Sequence, residues 1–93
     1  YNSDYEFGGK VLEYNEDKSI IEIRNKLMVG DTMEILIPNN ITPYEFKIDK
    51  LWDTETDEEV EFVNPGKAGQ SIKMKLPIKC ENGWILRRKK MSH

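Results

Sequence analysis

The stretch NPGKAGQ, from Asn64 to Gln70, contains a lysine flanked by glycines and is the first candidate in this sequence for a phosphate-binding loop. A phosphate-binding loop needs a glycine, four residues and then Gly-Lys-Ser/Thr between a strand and a helix, because backbone amides and the helix N-terminus cradle the phosphates. Here Ala68 follows Gly66 and Lys67, the earlier glycine is missing, and a strand-like segment comes next. The spacing therefore predicts a tight connection and not a nucleotide site.

The acidic run DTETDEEVE, which begins at Asp53, offers carboxylates for two other kinds of chemistry. Its DTE is similar to the DTG of aspartic peptidases, but the glycine and the second copy that completes the carboxylate dyad are missing. Asp53, Glu55 and Asp57 alternate as calcium ligands do in an EF-hand loop. Glu58, however, occupies the position of the sharp-turn glycine, and Asn64 stands where a bidentate Glu belongs. We therefore predict a solvated acidic hairpin loop.

Nucleophilic catalysis needs a base beside a Ser, Cys or Thr, and the only histidine is His93 at the C-terminus. Cys80 is the only cysteine, so it has no disulfide partner within the chain and lacks the companions of a zinc or iron-sulfur site. We predict that it is a small core or edge residue in a reducing compartment. From these residues we expect no catalytic site, no metal site and no cofactor in this chain.

The formal net charge of −3 hides an asymmetry along the chain. Residues 1–66 carry 6 basic and 16 acidic side chains, a balance of −10, whereas residues 67–93 carry 8 basic and 1 acidic side chain, a balance of +7. This difference matters for partners only if the fold also separates the charges in space. Opposite charges on neighbouring strands cancel within a Debye length of about 8 Å.

The basic residues of the last two predicted strands could bind phosphates. If these strands are adjacent, their side chains form a stripe that neutralises phosphate groups of RNA or the carboxylates of an acidic partner. The candidate binding residues are Lys67, Lys73, Lys75, Arg87 and Arg88. Trp52 and Trp84 would add base stacking, although both also fit core positions. The alternative is a solvated face that only offsets the acidic part of the chain.

Alternation with period 2 dominates the sequence and predicts antiparallel strands with one buried face. The β-branched and aromatic residues lie in short runs bounded by Gly, Pro, Asn and Asp. The residues expected to face inward are Leu12, Tyr14, Ile21, Ile23, Met33, Ile35, Ile37, Tyr44, Phe46, Ile48, Ile72, Met74 and Leu76. The polar stretch NEDKS, residues 15–19, is short enough to close a hairpin between the first two strands.

The predicted fold class is all-β, a small closed or nearly closed antiparallel β-barrel of about six strands. Leu51 falls one step out of phase with the apolar residues before it, which predicts a bulge near Asp49 or Lys50. Closure removes exposed sheet edges and brings the first and last strands together. Residues 1–93 suit one domain, with an ordered core from about 6 to 90. No apolar run approaches 18 residues, so we expect no membrane partner and a cytoplasmic location.

Five short motifs follow one another between Gly8 and Lys90: KVLEY, RNKLMVGD, IDKLWD, NPGKAGQ and ILRRKK. Together, in this order and spacing, they resemble the C-terminal domain of peptidase family U32, the collagenase-like proteins. The family-typical positions, which the resemblance implies are mostly structural, are Arg24, Asn25, Gly30, Asp31, Trp52, Asp53, Asn64, Pro65, Gly66, Gly69 and Gln70. Leu27 stands where the family often has Phe, which suggests a core substitution. Gly83-Trp84 replaces a common Gly-Asp and leaves open how the final turn is built.

The resemblance implies a small β-barrel like those of translation proteins, appended to a larger N-terminal domain that carries the chemistry. Family members were first called peptidases of unknown catalytic type, and relatives are linked to hydroxylation of tRNA or ribosomal RNA. The iron-sulfur cysteines of such relatives belong to the large domain, and none is carried over to this chain. We therefore expect a noncatalytic accessory domain that helps its N-terminal catalytic domain recognise or position a substrate, which the RNA hypothesis takes to be tRNA or rRNA.

The alternative function is a structural or protein-interaction module that docks on the catalytic domain or on a protein substrate. An exposed apolar patch near Leu27, Met28 and Trp84, without a continuous basic stripe, would favour this second hypothesis.

Overall fold

The computed structural model describes residues 5–65 and 70–89, and all regular elements among them are β-strands. The all-β prediction is therefore confirmed, although the strands number ten within these ranges and not about six. In chain order they are β1 (Tyr5–Glu13), β2 (Ser19–Ile23), β3 (Leu27–Met28), β4 (Thr32–Leu36), β5 (Tyr44–Lys47), β6 (Leu51–Asp53), β7 (Glu59–Val60), β8 (Phe62–Val63), β9 (Ser71–Met74) and β10 (Ile85–Lys89). The additional strands include three of two residues each, too short for alternation to reveal.

Eight strands form one antiparallel sheet in the order β5-β4-β10-β1-β2-β9-β6-β7, and β3 and β8 form a separate two-stranded ribbon. The first strand pairs with the last, as the barrel hypothesis requires. The β1–β2 hairpin predicted at NEDKS is confirmed. Buried Ser19 closes its loop, because the hydroxyl accepts a hydrogen bond from the Asn15 amide at 2.9 Å and donates to the Asn15 carbonyl at 3.0 Å.

The sheet curls because its two ends are tied by a very short crossing. Strand β5 lies at one end of the sheet and β6 lies one strand from the other end, yet only residues 48–50 separate them. Four steps of chain span at most about 14 Å. The two ends must therefore approach each other, which gives the sheet the curvature of a partial barrel.

The bulge predicted near Asp49 or Lys50 is wrong, because the strand is broken at these residues. A bulge keeps both of its sides paired to one partner strand. Here β5 pairs with β4, whereas β6 pairs with β7 and β9. Between them the Ile48 amide donates to the Asp31 carbonyl at 2.9 Å, and the Ile48 carbonyl accepts from Gly30 at 2.8 Å.

The core lies on the concave side of the curled sheet. Its buried hydrophobic residues are Val11, Ile21, Ile23, Leu27, Met33, Ile35, Ile48, Leu51, Ile72, Met74, Leu76, Cys80 and Leu86. The predicted inward faces of β2, β4 and β9 are confirmed at every buried position of their alternation. Tyr14, Ile37 and Phe46 are partly buried and pack against the same core.

Two residues predicted to face inward are exposed. Leu12 is 41% exposed, and Val11 is buried in its place, because the register between β1 and β2 shifts between Val11 and Glu13. The extra residue of such a bulge is displaced from the alternation. Tyr44 is also 41% exposed, since β5 is an end strand with β4 as its one sheet neighbour.

At Gly9 the backbone of β2 leaves no room for a side chain. A Cβ at this position would lie 2.4 Å from the carbonyl oxygen of Glu22 on β2, a distance that only backbone movement could relieve. The register between β1 and β10 shifts next to it, between Phe7 and Gly9. Glycine therefore permits the tight curvature of β1, the strand at the centre of the sheet.

Candidate functional site

The two arginines of β10 point to opposite faces of the sheet, because successive residues of a strand alternate. Arg88 shares its face with buried Leu86 and lies across from Met33, at one end of the core. Its guanidinium donates to Glu6 at 2.6 Å and to Asp31 at 3.0 Å. Burial alone lowers the pKa of Arg88, but the hydrogen bonds to Asp31 and Glu6 outweigh it and raise the pKa above its ordinary value. Arg88 is therefore a structural ion-pair centre.

Arg87 lies on the other face and is neutralised by its cross-strand neighbour. It pairs with Glu34 of β4, whose side chain is only 12% exposed. The Arg87 guanidinium also lies 4.6 Å from the centre of the Tyr5 ring. A hydrogen bond to Glu34, helped by burial, raises the pKa of Tyr5 above its ordinary value. Arg87 is thus held in a cluster of side chains and does not stand free in solvent.

The continuous basic stripe predicted from Lys73, Lys75, Arg87 and Arg88 is not formed. Strands β9 and β10 are separated in the sheet by β1 and β2, so the condition of adjacency fails. The acidic and basic parts of the sequence are interleaved in the sheet, and their charges pair across strands. Lys73, the outward residue of β9, binds Asp57 of the acidic hairpin at 3.3 Å.

The acidic run forms the predicted hairpin, with β6 and β7 as its arms. Asp53 caps its turn, because its Oδ1 accepts hydrogen bonds from the amides of Glu55 at 2.7 Å and Thr56 at 3.2 Å. Asp57 receives the ammonium groups of Lys18 and Lys73, and these hydrogen bonds lower its pKa. Two of the carboxylates that resembled peptidase or calcium ligands, Asp53 and Asp57, are thus engaged in a turn and in two ion pairs.

Three other lysines surround a groove at the seam where the ends of the sheet approach each other. Lys47 ends β5, Lys50 lies in the crossing to β6, and Lys75 follows β9. All three are exposed, and none has an ion-pair partner among residues 5–65 and 70–89. The groove has a volume of about 500 Å³. It gathers cationic charge that the surrounding strands leave unpaired.

Two aromatic rings, Trp52 and Phe46, line the same groove. Trp52 follows buried Leu51 on β6 and so points away from the core, where the Lys18 ammonium lies 4.7 Å from its ring centre. Asp17 and Asp49 also line the groove, which leaves a formal balance of +1 from three lysines and two acids. Aromatic faces beside free ammonium groups can bind a ligand that carries both a ring and a negative charge.

The sequence indicates only part of this groove. Lys75 is one of the predicted binding residues, and Trp52 is a candidate for base stacking. Lys47 and Lys50 are not predicted, because they belong to the acidic part of the chain. The available signal is their position among the aromatic and apolar residues of YEFKIDKLW. Lys67 lies outside the residues that the structure describes.

Cys80 is buried, and its thiol donates to the Ile78 carbonyl at 3.4 Å. Burial raises the pKa of the thiol to about 11, so it remains protonated at neutral pH. A nucleophile or metal ligand would need the thiolate. The prediction of a small core residue is confirmed. No group of three potential metal ligands occurs within residues 5–65 and 70–89.

Several family-typical residues hold the connections between strands. The side-chain amide of Asn25 donates to the Phe7 carbonyl. The Asp31 carboxylate accepts from the backbone amide of Met28 at 2.9 Å and also from Arg88. Gly30 has a φ of 97°, in the left-handed region that favours glycine.

Other family-typical residues serve the strand ends. The Arg24 amide donates to Gly8, and the Gln70 carbonyl accepts from Ile23. Asn64 and Pro65 are exposed at the end of β8. Gly66 and Gly69, like His93, lie outside the described residues.

The structure shows where the two departures from the family pattern and the proposed apolar patch lie. Leu27 is fully buried, as a core substitution would be. Gly83 has a φ of 95° and its amide donates to Val11, while Trp84 packs against the core. Of the three residues proposed for a patch, only Met28 is exposed, at 40%. The described chain contains no helix long and apolar enough to cross a membrane.

Comparisons with known proteins agree with this architecture. The model of the peptidase family U32 C-terminal domain matches residues 3–87. No curated protein matches the chain. Two crystal structures of the C-terminal domain of a Geobacillus thermoleovorans protein assigned to the U32 peptidases are similar. The first, a selenomethionine variant, has a TM-score of 0.74 at 27% identity and covers 88% of this chain and 98% of its own.

The second structure has a TM-score of 0.76 at 26% identity and covers 91% of this chain and 93% of its own. Its similarity therefore covers most of both chains. With the family match spanning nearly all residues, the chain belongs to the family of peptidase U32 C-terminal domains.

Proposed function

We propose that this chain is a noncatalytic accessory domain that binds an anionic substrate, RNA in the first place, and positions it for the N-terminal domain of the same protein. The observation that carries the proposal is the groove of Lys47, Lys50 and Lys75 beside Trp52. These lysines have no acidic partner within the described ranges, whereas the candidate cations Lys73, Arg87 and Arg88 are paired.

The chemistry of the groove favours a single-stranded ligand. Ammonium groups neutralise backbone phosphates and release condensed counterions, which gives affinity without sequence preference. An aromatic face accepts an unstacked base, and such stacking contributes about 1–3 kcal/mol for each base. A duplex keeps its bases stacked inside and offers Trp52 nothing comparable.

The deciding experiment measures binding of the chain to a single-stranded RNA by fluorescence anisotropy over a series of salt concentrations. The test variant is Lys50→Gln with Lys75→Gln. The matched control is Lys10→Gln with Lys26→Gln, which removes the same charge at residues that do not line the groove.

Loss of two phosphate contacts should weaken binding at low salt and reduce the slope of log K against log salt by about 1.4 for a single strand. The control variant should keep the slope of the parent chain. Equal slopes for the two double variants would show that the groove does not bind the RNA. Undetectable binding of the parent chain at low salt would end the RNA hypothesis.

A further inference from the structure

The ribbon of β3 and β8 carries exposed apolar residues that the groove does not use. Met28, Val29 and Phe62 are 40%, 41% and 49% exposed. Met28 and Phe62 are direct cross-strand partners, and the Val29 amide donates to the carbonyl of Glu61 at 2.9 Å. Met28 and Phe62 lie on one face of the ribbon, Val29 follows Met28 directly in the chain, and we call these three residues the ribbon patch.

Alternation explains why Met28 and Phe62 face outward. Leu27 and Val63 are the other cross-strand pair of the ribbon, and both turn toward the core. The next residues along each strand must then point away from it. A ribbon with only two residue pairs is marginally stable by itself, so packing on its outer side would stabilise it. Grouped exposed apolar residues commonly mark an interaction surface.

A relay of hydrogen bonds links the first described strand to this patch. Glu6, at the start of β1, binds Arg88 at 2.6 Å, and Arg88 binds Asp31 at 3.0 Å. The same carboxylate oxygen of Asp31 accepts the amide of Met28 at 2.9 Å. Three hydrogen bonds thus connect the first strand to the patch. Because the chain is a C-terminal domain, the rest of the protein precedes β1.

A covalent connection changes how large an interface must be. A short flexible linker holds two domains at an effective concentration in the millimolar range, so a modest patch can dock where two separate proteins would dissociate. Interfaces between domains of one chain are correspondingly smaller and more polar than obligate ones. Lys26, whose ammonium lies 5.0 Å from the centre of the Phe62 ring, supplies a cation at the rim.

We propose that the ribbon patch of Met28, Val29 and Phe62 is the surface on which the N-terminal domain of the same protein docks. The docking face of that domain is apolar, with a carboxylate placed opposite Lys26. The proposal shares no residue with the groove, so either can fail alone. Together they would fix the direction in which the groove faces the domain that carries the chemistry.

The test compares hydrogen exchange in the full-length protein with exchange in this chain alone. The informative probe is the Val29 amide, which is bonded to Glu61 across the ribbon. Docking binds the closed ribbon and not the open one, so exchange should be slower in the full-length protein by roughly tenfold or more. Equal exchange rates in the two proteins would overturn the proposal.

Two matched variants separate docking from a general effect of charge. Phe62→Asp places a carboxylate in the patch and should abolish the difference between the full-length protein and the chain alone. Ile41→Asp makes a comparable change at a residue that is 98% exposed and outside the patch, and should preserve the difference. If both variants abolish it, the patch has no special role and the proposal fails.

Two further measurements test the docking proposal independently of Phe62→Asp. Met28→Gln is a milder change that should reduce the protection even if Phe62→Asp unfolds the domain, and full protection in this variant would contradict the proposal. Protection of Val29 in the chain alone that rises with protein concentration would identify a second copy as the occupant. That result would replace the N-terminal domain and overturn the assignment.

Discussion

The arginines of β10 and the lysines of the groove carry the same charge and have opposite surroundings. Arg87 pairs with Glu34 of β4, and Arg88 pairs with Glu6 of β1 and with Asp31 just before β4. Lys47, Lys50 and Lys75 lie where the sheet ends approach each other, and they have no ion-pair partner among the described residues. ILRRKK is the most basic motif in the sequence, and the role of its two arginines is therefore mainly structural. The cations with capacity for a ligand are those that no neighbouring strand neutralises.

Burial separates the two regions as clearly as pairing does. The Arg88 side chain is 17% exposed, and its partner Asp31 is 11% exposed, so their attraction is only weakly screened by solvent. The groove lysines are exposed and remain hydrated. Removing a charge should thus affect folding at β10 and binding at the groove.

Replacing Arg88 by Met should destabilise the domain by about 3 kcal/mol, because it leaves the carboxylates of Glu6 and Asp31 partly buried without their cation. Urea denaturation followed by circular dichroism measures the change in the free energy of unfolding. Lys89→Met, at an exposed neighbour, is the control and should change stability by less than about 0.5 kcal/mol. Similar values for both variants would mean that Arg88 is no more structural than a surface cation.

Replacing Trp52 by Leu should weaken binding of a single-stranded RNA by about 1–2 kcal/mol, because Leu keeps an apolar side chain but has no ring for stacking. Fluorescence anisotropy at low salt measures the affinity. Phe62→Leu removes an exposed aromatic ring outside the groove and should leave the affinity unchanged. An equal loss in both variants would count against stacking at Trp52.

Replacing Asp57 by Asn should increase affinity for RNA by roughly twofold to fivefold, since it releases Lys18 and Lys73 from their shared carboxylate. The substitution leaves both lysines without their ion-pair partner, as the groove lysines are. Glu55→Gln removes the same charge from the same hairpin and serves as the control. If both variants gain equally, net charge alone explains the effect and the pairing of Asp57 is irrelevant to binding.

The smallest effect is a pH dependence of stability from the same carboxylate. Its hydrogen bonds to Lys18 and Lys73 lower the folded pKa of Asp57, so its contribution is present above the ordinary pKa of about 4 and is lost as pH falls through the lowered value. Thermal unfolding of the parent chain and of Asp57→Asn should differ by a constant amount above about pH 5. The difference should shrink as the solution becomes more acidic, and a difference that grows would contradict the assignment.

Much of the fold could be predicted because alternation is a local property of sequence. The buried residues of β2, β4 and β9 follow the period of two, and the hairpin at residues 15–19 follows from its polar loop. The inward orientation predicted for Leu12 is wrong because a bulge in β1 shifts the alternation, and bulges depend on the partner strand. The bulge predicted near Asp49 or Lys50 is wrong for the same reason, because the segments before and after residues 48–50 pair with different strands.

The candidate site was less predictable because it depends on which strands become neighbours. Lys75 and Trp52 were identified from their residue types, but they meet Lys47 and Lys50 only where the sheet curls. Arg87 and Arg88 were selected by the density of charge in the sequence, and their carboxylate partners lie more than fifty residues away along the chain.

The sequence by itself determined the all-β class, the inward faces of the regular strands and the family. These follow from residue type, period and motif order, which do not require knowledge of distant neighbours. Only the tertiary structure decided which cations are neutralised and which remain free. The reason is that electrostatic interaction depends on distance in space and on burial. Strands far apart in the chain, such as β10 and its neighbours β1 and β4, are brought together only by the fold.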